Sequence, residues 1–192
     1  MLLGELLKST KENYKNIPVR GISFDSRKVK KNYIFFAIKG NKLSGHKFIY
    51  DAIAKGASAI ICNKKIKIKK NKVPLLVVRD TRRALSEASS KFYKQKINNI
   101  IAVTGTNGKS SVASFFYQIL NLNKIKVASV GTLGLFAKNY KKKLNLTTID
   151  PPLLHRNLKV LFKKKIKNVI LEASSHGLDQ KRLDYLKIKI GI

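Results

Sequence analysis

Residues 101–111 constrain the fold of this chain more than any other segment. They read Ile-Ala-Val-Thr-Gly-Thr-Asn-Gly-Lys-Ser-Ser, an apolar run that leads into glycines, a lysine and hydroxyl residues, and amphipathic helical spacing follows them. A buried strand, a glycine loop and a helix start in this order present backbone N–H groups and a positive dipole end to a phosphate. The segment therefore predicts an α/β domain that binds a nucleotide.

The individual positions of this loop suit contacts to phosphates. Gly105 and Gly108 let the backbone approach the phosphates closely, Lys109 reaches the outer phosphates, and Ser110 offers a hydroxyl to Mg²⁺. The strict pattern G-x-x-x-x-G-K-[ST] is not met, because Val103 stands where its first glycine is expected. A tight turn that contains Lys-Ser by chance is the alternative, and the flanking strand and helix favour a nucleotide site. The predicted nucleotide contacts are Gly105, Thr106, Asn107, Gly108, Lys109, Ser110 and Ser111.

Strand-like apolar runs alternate with helical spacing on both sides of the loop. Before it, this alternation occupies residues 33–38, 46–56, 57–62, 75–78 and 80–94. After residue 98 it occupies residues 99–103, 109–122, 126–130, 151–164 and 168–172, and strand-like alternation returns at 186–192. Asp80 and Asp150 are expected to cap the helices that follow them. Alternating strands and helices are typical of α/β folds.

We therefore predict two α/β domains, with the boundary in the polar stretch between residues 94 and 98. Residues 1–96 form a small amino-terminal domain, and residues 97–192 form a P-loop-type ATPase domain with a parallel sheet. A parallel sheet is not expected to finish on a strand without a covering layer, so the pattern at 186–192 predicts an incomplete second domain.

The charge balance is extreme, with 41 Lys and Arg residues against 10 Asp and Glu residues and a net charge of +31. Such a surplus favours a polyanion as partner, and a basic nucleic-acid-binding protein is the alternative from another class. However, the lysines are spread along the whole chain in short runs at 64–72, 138–143 and 163–167, where we expect solvated turns and helix ends.

Cys62 lies in an apolar run and is expected in the core. No stretch approaches the roughly 18 apolar residues of a membrane span, which predicts a cytoplasmic protein.

The loop sequence Gly105-Thr-Asn-Gly-Lys-Ser110 resembles the ATP loop of the Mur ligases and their relatives, the folylpolyglutamate synthetases. Three later segments resemble those Mur ligases that add the third amino acid to a UDP-N-acetylmuramoyl-dipeptide: Gly131-Thr-Leu-Gly134, Leu146-Thr-Thr-Ile-Asp-Pro151 and Glu172-Ala-Ser-Ser-His-Gly-Leu-Asp-Gln-Lys-Arg182. In this family a substrate carboxylate attacks the γ-phosphate of ATP to form an acyl phosphate, and an amine then displaces phosphate to form an amide. The final-step Mur ligase is the alternative within the family, but it favours a Gly-Ser-x-Gly-Lys loop.

The resemblance also implies a uridine-binding role for residues 1–96. Phe24-Asp-Ser-Arg27, followed by residues 34–40 and 45–49, resembles the uridine-binding domain that the third-step and final-step ligases share. The implied contacts to the uridine nucleotide are Phe24 and Ser26 and, by position only, Asn41, Lys42 and Leu43.

In the second domain the resemblance implies a substrate and metal site. Lys109 and Glu172 are the implied catalytic residues, and Ser110 and Glu172 are the implied Mg²⁺ ligands. Hydrogen bonds to the sugar-peptide are expected from Thr147, Thr148, Ser174, Gln180 and Arg182. Two roles are left open for the His176 side chain, one beside the metal and one in packing. Leu146 stands where some family members have asparagine, so no side-chain hydrogen bond is expected there.

The implied partners are small molecules: ATP, Mg²⁺, the UDP-N-acetylmuramoyl-dipeptide and a diamino acid, either diaminopimelate or lysine. We expect a monomer that binds no specific nucleic acid and no membrane. The family's carboxylated lysine and amino-acid-selecting domain are expected beyond residue 192. Residues 1–192 alone are therefore expected to be inactive as a ligase.

Overall fold

The computed structural model describes residues 1–7, 10–40, 43–66, 73–94 and 96–192. The chain divides into two compact units, Met1–Phe92 and Tyr93–Ile192. Both units combine β-strands with α-helices, which confirms the predicted α/β class.

The first unit is built on a parallel sheet. Its α-helices and strands within the described ranges are α1 (Leu3–Leu6), β1 (Gly21–Ser23), β2 (Tyr33–Phe36), α2 (Ile49–Ala54), β3 (Ala57–Cys62), β4 (Leu75–Val77) and α3 (Thr81–Tyr93). Short 3-10 helices, Glu12–Tyr14, Ser26–Lys28 and Gly45–Phe48, lie between them. The strands pair in the order β1-β2-β3-β4, all in parallel. Cys62 is fully buried, as predicted. Asp80 caps α3, because its Oδ1 accepts hydrogen bonds from the backbone N–H groups of Arg82 and Arg83 at 2.9 and 3.1 Å.

The second unit is built on a mixed sheet. Its described elements are β5 (Asn99–Val103), α4 (Lys109–Leu122), β6 (Val127–Gly131), β7 (Gly134–Ala137), β8 (Tyr140–Lys142), α5 (Pro151–Lys163), β9 (Asn168–Glu172), α6 (Ser175–Asp179) and β10 (Ile188–Gly191). The strand order is β10-β5-β9-β6-β7-β8.

The prediction of a parallel sheet is correct for only part of this order. Strands β10, β5, β9 and β6 are parallel, whereas β7 and β8 run antiparallel to their neighbours. The reversal follows β6 directly, where Gly131 pairs with Gly134 and only Thr132 and Leu133 connect the strands. Gly134 has a φ of +116°, a conformation that L side chains rarely adopt. Strand β8 lies within the lysine run at 138–143, which is thus not only the solvated turn that the sequence predicts.

Helix α5 covers one face of this sheet and begins as predicted at Pro151 and Pro152. Leu154, Leu158 and Leu161 pack into the main core of the unit. Asp150 stands at the N-cap position, as predicted, but its side chain makes no capping hydrogen bond. The Asp150 carboxylate faces Arg182 instead, with 3.5 Å between Oδ1 and Nε.

His155 on α5 is a fully buried polar residue. Neither ring nitrogen has a hydrogen-bond partner in the part of the chain that the structure describes. Burial penalises the charged imidazolium, which lowers the pKa of His155 to about 4 from an ordinary value of 6.5. The folded chain therefore keeps this imidazole neutral at neutral pH.

We expect this burial to make the fold sensitive to mild acid. Because the folded-state pKa of His155 lies below the unfolded-state pKa, the unfolded chain binds the proton first, and stability is lost as the pH falls from 6.5 towards 4. The expected loss between pH 7 and pH 5 is about 2 kcal/mol of unfolding free energy. Denaturant titrations of the wild type and of His155→Leu measure it as the difference between their pH dependences. Equal pH dependences would contradict this account of His155.

Candidate active site

The glycine loop connects β5 to α4 as predicted. Gly105 and Gly108 have φ values of +130° and +80°, and Gly108 occupies the position that caps α4. The Nζ of Lys109 donates to the carbonyl oxygens of Gly105 and Thr106 at 2.5 and 3.1 Å. Thr106 and Asn107 are exposed, so the predicted phosphate contacts lie in an open loop at the start of a long helix.

Glu172 ends β9 beside this loop. β9 pairs with β5 in parallel, and Glu172 is in register with Val103, the last residue of β5. The side chain of Glu172 is buried, with 3% of the residue exposed. The hydroxyl of Ser110 donates to Glu172 Oε2 at 2.9 Å. The structure thus brings together the two residues that the sequence predicts as Mg²⁺ ligands.

Thr132 completes the surroundings of this carboxylate. Its backbone N–H donates to Glu172 Oε1 at 3.0 Å, and its hydroxyl donates to Oε2 at 2.9 Å. Gly131 packs against the same group, since a Cβ built on it would lie 2.1 Å from Oε1. Residues 131–134 carry part of the family resemblance, but Thr132 is not among the site residues that the sequence predicts. The signal was available, because a turn directly after β6 lies at the same sheet edge as the end of β9.

The donor set at this edge fits a magnesium ion. Mg²⁺ prefers oxygen ligands and usually binds through one or two carboxylates together with water and substrate phosphates. Ser110 and Glu172 supply a hydroxyl and a carboxylate, and both line a cavity of about 190 Å³. Among the described residues no group of three or more His, Cys, Asp or Glu side chains could hold a metal ion.

Thr147 and Thr148, predicted as donors to a substrate, point to different partners. The hydroxyl oxygen of Thr147 lies 2.9 Å from that of Thr132. The buried hydroxyl of Thr148 donates to the main-chain oxygen of Glu172 at 2.8 Å and accepts from the backbone N–H of Ser174 at 2.8 Å. It also lies 3.1 Å from the hydroxyl of Ser174. In this arrangement Thr148 holds the loop to the end of β9.

Arg182 holds the same loop from the other side. Its Nη1 donates to the main-chain oxygen of Thr148 at 2.5 Å, and its Nη2 donates to Gln180 Oε1 at 2.7 Å. The Nε2 atoms of Gln180 and His176 are 2.6 Å apart. These contacts place Gln180, Arg182 and His176 in one hydrogen-bonded group near Thr148. The substrate roles of Gln180 and Arg182 stay predictions, and His176 stays open between its two roles.

The residues predicted to contact uridine follow the first two strands of the first unit. Phe24 comes directly after β1 and is 37% exposed, whereas Ser26 is buried in the next turn. Between them, hydrogen bonds from Arg27 lower the pKa of the Asp25 carboxyl. Leu43 is exposed in the segment after β2, which the bridge between Lys39 and Ser44 closes. Asn41 and Lys42 lie outside the described residues. The uridine contacts stay predictions.

Comparison with known proteins gives matches to both parts of the chain. The family model "Mur ligase family, catalytic domain" matches residues 18–93, and the model "Mur ligase middle domain" matches residues 103–192. A UDP-N-acetylmuramoyl-L-alanyl-D-glutamate–2,6-diaminopimelate ligase of Brucella melitensis biotype 1 is 42% identical over 175 residues, which are 91% of this chain and 36% of the relative. The ligase of that name from Rickettsia montanensis is 42% identical over 184 residues, which are 94% of this chain and 38% of the relative.

Solved structures agree with these matches. The structure of a 2,6-diaminopimelate ligase of the same name superposes with a TM-score of 0.83 and 30% identity, over 100% of this chain and 39% of that one. The MurF ligase of Thermotoga maritima in complex with ADP is more distant, with a TM-score of 0.56 and 23% identity over 84% of this chain and 33% of that one, and it supports the fold alone. The chain thus spans less than two fifths of the length of these relatives.

Proposed function

The chain belongs to the Mur ligase family, and on this basis we propose that the full-length protein containing it joins 2,6-diaminopimelate to UDP-N-acetylmuramoyl-L-alanyl-D-glutamate with consumption of ATP. The full-length protein is the complete product of the gene that encodes residues 1–192. Diaminopimelate is proposed over lysine because both relatives described above are named for it. The final-step alternative is less well supported, because the MurF structure superposes with the lower TM-score and identity.

One observation carries the proposal. Ser110, at the start of the helix that follows the glycine loop, hydrogen-bonds Glu172 at the end of the neighbouring parallel strand at 2.9 Å. α/β sheets bind ligands at the carboxyl ends of their strands. A hydroxyl and a carboxylate meet there beside an open phosphate-binding loop, which is the arrangement that phosphoryl transfer from a magnesium–nucleotide complex requires.

The residues of the chain take separate roles in this proposal. Lys109 neutralises negative charge on the outer phosphates, and the loop N–H groups orient them. Ser110 and Glu172 hold Mg²⁺, which when bound draws charge from the transferred phosphoryl group. The sugar-peptide is oriented by five residues so that its carboxylate meets the outer phosphate: Thr147, Thr148, Ser174, Gln180 and Arg182. Phe24, Ser26, Leu43 and their neighbours Asn41 and Lys42 bind the uridine nucleotide.

We further propose that the protein works as a monomer in the cytoplasm on small-molecule substrates. No helix of the described part of the chain is long and apolar enough to cross a membrane. The net charge of +31 supports salt-sensitive attraction to polyanions in general, and it supports no specific nucleic-acid partner.

Substrate-dependent phosphate release tests the proposal. The full-length protein is supplied with ATP, Mg²⁺ and UDP-N-acetylmuramoyl-L-alanyl-D-glutamate, together with diaminopimelate or L-lysine. A parallel reaction pairs the UDP-muramoyl-tripeptide with D-alanyl-D-alanine. We expect release with diaminopimelate, and release only in the parallel reaction would identify the final-step enzyme. Absence of release in every reaction, from protein shown to be folded, would overturn the proposal.

A further inference from the structure

Thr132 contacts Glu172 through two separate atoms. Its backbone N–H donates to Oε1 and its hydroxyl donates to Oε2, so both carboxylate oxygens are fixed by one residue. Thr132 itself lies on the surface in the turn between β6 and β7. An exposed hydroxyl aimed at a buried carboxylate is not needed to fill the core. Its position therefore points to a role in the site.

The hydroxyls around Glu172 have a fixed direction of donation. A hydroxyl has one hydrogen, and a carboxylate oxygen only accepts. The hydrogen of Thr132 is used on Glu172 Oε2, so in the 2.9 Å contact between the two threonine hydroxyls Thr147 must be the donor. The chain of donation runs from Thr147 to Thr132 to Glu172.

We propose, on the basis of the proposed function, that Thr132 is a positioning residue that holds the Glu172 carboxylate in its metal-binding orientation and makes Thr147 a hydrogen-bond acceptor toward the substrate. The hydroxyl of Thr147, whose hydrogen is already used, presents only lone pairs. It therefore accepts a hydrogen bond from an N–H or O–H group of the sugar-peptide, such as an amide or a sugar hydroxyl. A substrate carboxylate cannot form this hydrogen bond, because a carboxylate also only accepts.

The packing around Glu172 favours the same single orientation. Gly131 leaves no room for a Cβ, which would lie 2.1 Å from Oε1 and 2.4 Å from the carboxyl carbon. The carboxylate is thus pressed against backbone on its Oε1 side, and Oε2 is directed at the hydroxyl of Ser110. Without the Thr132 hydroxyl, the described contacts of Oε2 reduce to Ser110, the other proposed metal ligand.

Metal affinity of Thr132 variants in the full-length protein tests the proposal. Thr132→Val keeps the shape and the backbone N–H and loses the hydroxyl, whereas Thr132→Ser keeps the hydroxyl and is the matched control. Mn²⁺ binding in the presence of ADP is measured by electron paramagnetic resonance, which does not depend on turnover. We expect Thr132→Val to bind Mn²⁺ about 10-fold more weakly than the wild type, and Thr132→Ser within about 2-fold of it. Thr132→Ser should melt close to the wild type, whereas Thr132→Val loses a hydrogen bond to a buried carboxylate and should melt at a lower temperature. Mn²⁺ binding is therefore measured at a temperature at which melting curves show both variants folded.

A second variant separates the two threonines. Thr147→Val is expected to raise the KM for the UDP-muramoyl-dipeptide by about 5-fold, with Mn²⁺ affinity changed by less than in Thr132→Val. Wild-type Mn²⁺ affinity in Thr132→Val, or equal losses in the Val and Ser variants, would overturn the role of the Thr132 hydroxyl. An unchanged KM in Thr147→Val would overturn the substrate contact. Wild-type protein that binds no Mn²⁺ with ADP would instead overturn the proposed function, so the two failures are distinguishable.

Discussion

Replacing Lys109 with alanine in the full-length protein is expected to lower turnover by about 10³-fold. The positive charge of this lysine stands at the start of α4, where it would neutralise charge that develops on the transferred phosphoryl group. Among the described residues its Nζ donates only to the loop carbonyl oxygens of Gly105 and Thr106. Removing the side chain should therefore change the free energy of unfolding by less than about 1 kcal/mol. Steady-state phosphate release and thermal melting measure both quantities.

A lysine outside the site provides the matched control. Lys163→Ala removes an equal charge from the exposed last residue of α5 and should retain wild-type turnover. If Lys109→Ala also retained wild-type turnover, Lys109 would not be the phosphate-binding lysine.

Glu172→Gln is expected to lower turnover by about 10²- to 10³-fold and to raise the Mg²⁺ concentration for half-maximal activity by at least about 10-fold. The amide keeps the shape of the side chain but loses the charge that attracts the ion. It also places an NH₂ group among donors, because the carboxylate accepts from Ser110 and twice from Thr132. That mismatch should cost about 1–3 kcal/mol of stability.

The assay is therefore run at a temperature at which melting curves show both proteins folded. Glu12→Gln is the control, since Glu12 is an exposed acid that pairs only with Lys15 in the described contacts. An Mg²⁺ dependence that is the same for wild type and Glu172→Gln would show that Glu172 holds no catalytic metal.

Local patterns in the sequence predicted much of the scaffold that carries this site. The bounds of β5, α4 and β9 agree with the predicted ranges 99–103, 109–122 and 168–172. These elements have continuous apolar or amphipathic runs with clear starts, such as the glycine loop before Lys109. The family resemblance implied that Ser110 and Glu172 are both ligands of Mg²⁺. The parallel pairing of β5 and β9 brings the two side chains within hydrogen-bond distance.

Features that depend on pairing between distant segments were not predicted. The position of Thr132 beside Glu172 requires β6 and β9 to be neighbours, although 40 residues separate the two side chains. The sequence predicts a solvated turn in place of strand β8, because lysines dominate residues 138–143 and the strand is only three residues long. Asp150 stands at the predicted cap position, but Arg182, 32 residues further along the chain, attracts its carboxylate. Such competition between a local and a distant partner is decided by the tertiary fold.

Transfer of oxygen-18 from substrate to phosphate tests the central claim most directly, namely that this site activates a substrate carboxylate with ATP. UDP-N-acetylmuramoyl-L-alanyl-D-glutamate, with oxygen-18 in the carboxyl groups of its glutamate, is incubated with the full-length protein, ATP, Mg²⁺ and diaminopimelate. Mass spectrometry of the products then locates the label. Our account predicts one oxygen-18 atom in each phosphate released and a matching amount of UDP-muramoyl-tripeptide. Tripeptide formed with unlabelled phosphate would contradict it, and so would labelled substrate recovered unchanged from folded, nucleotide-bound protein.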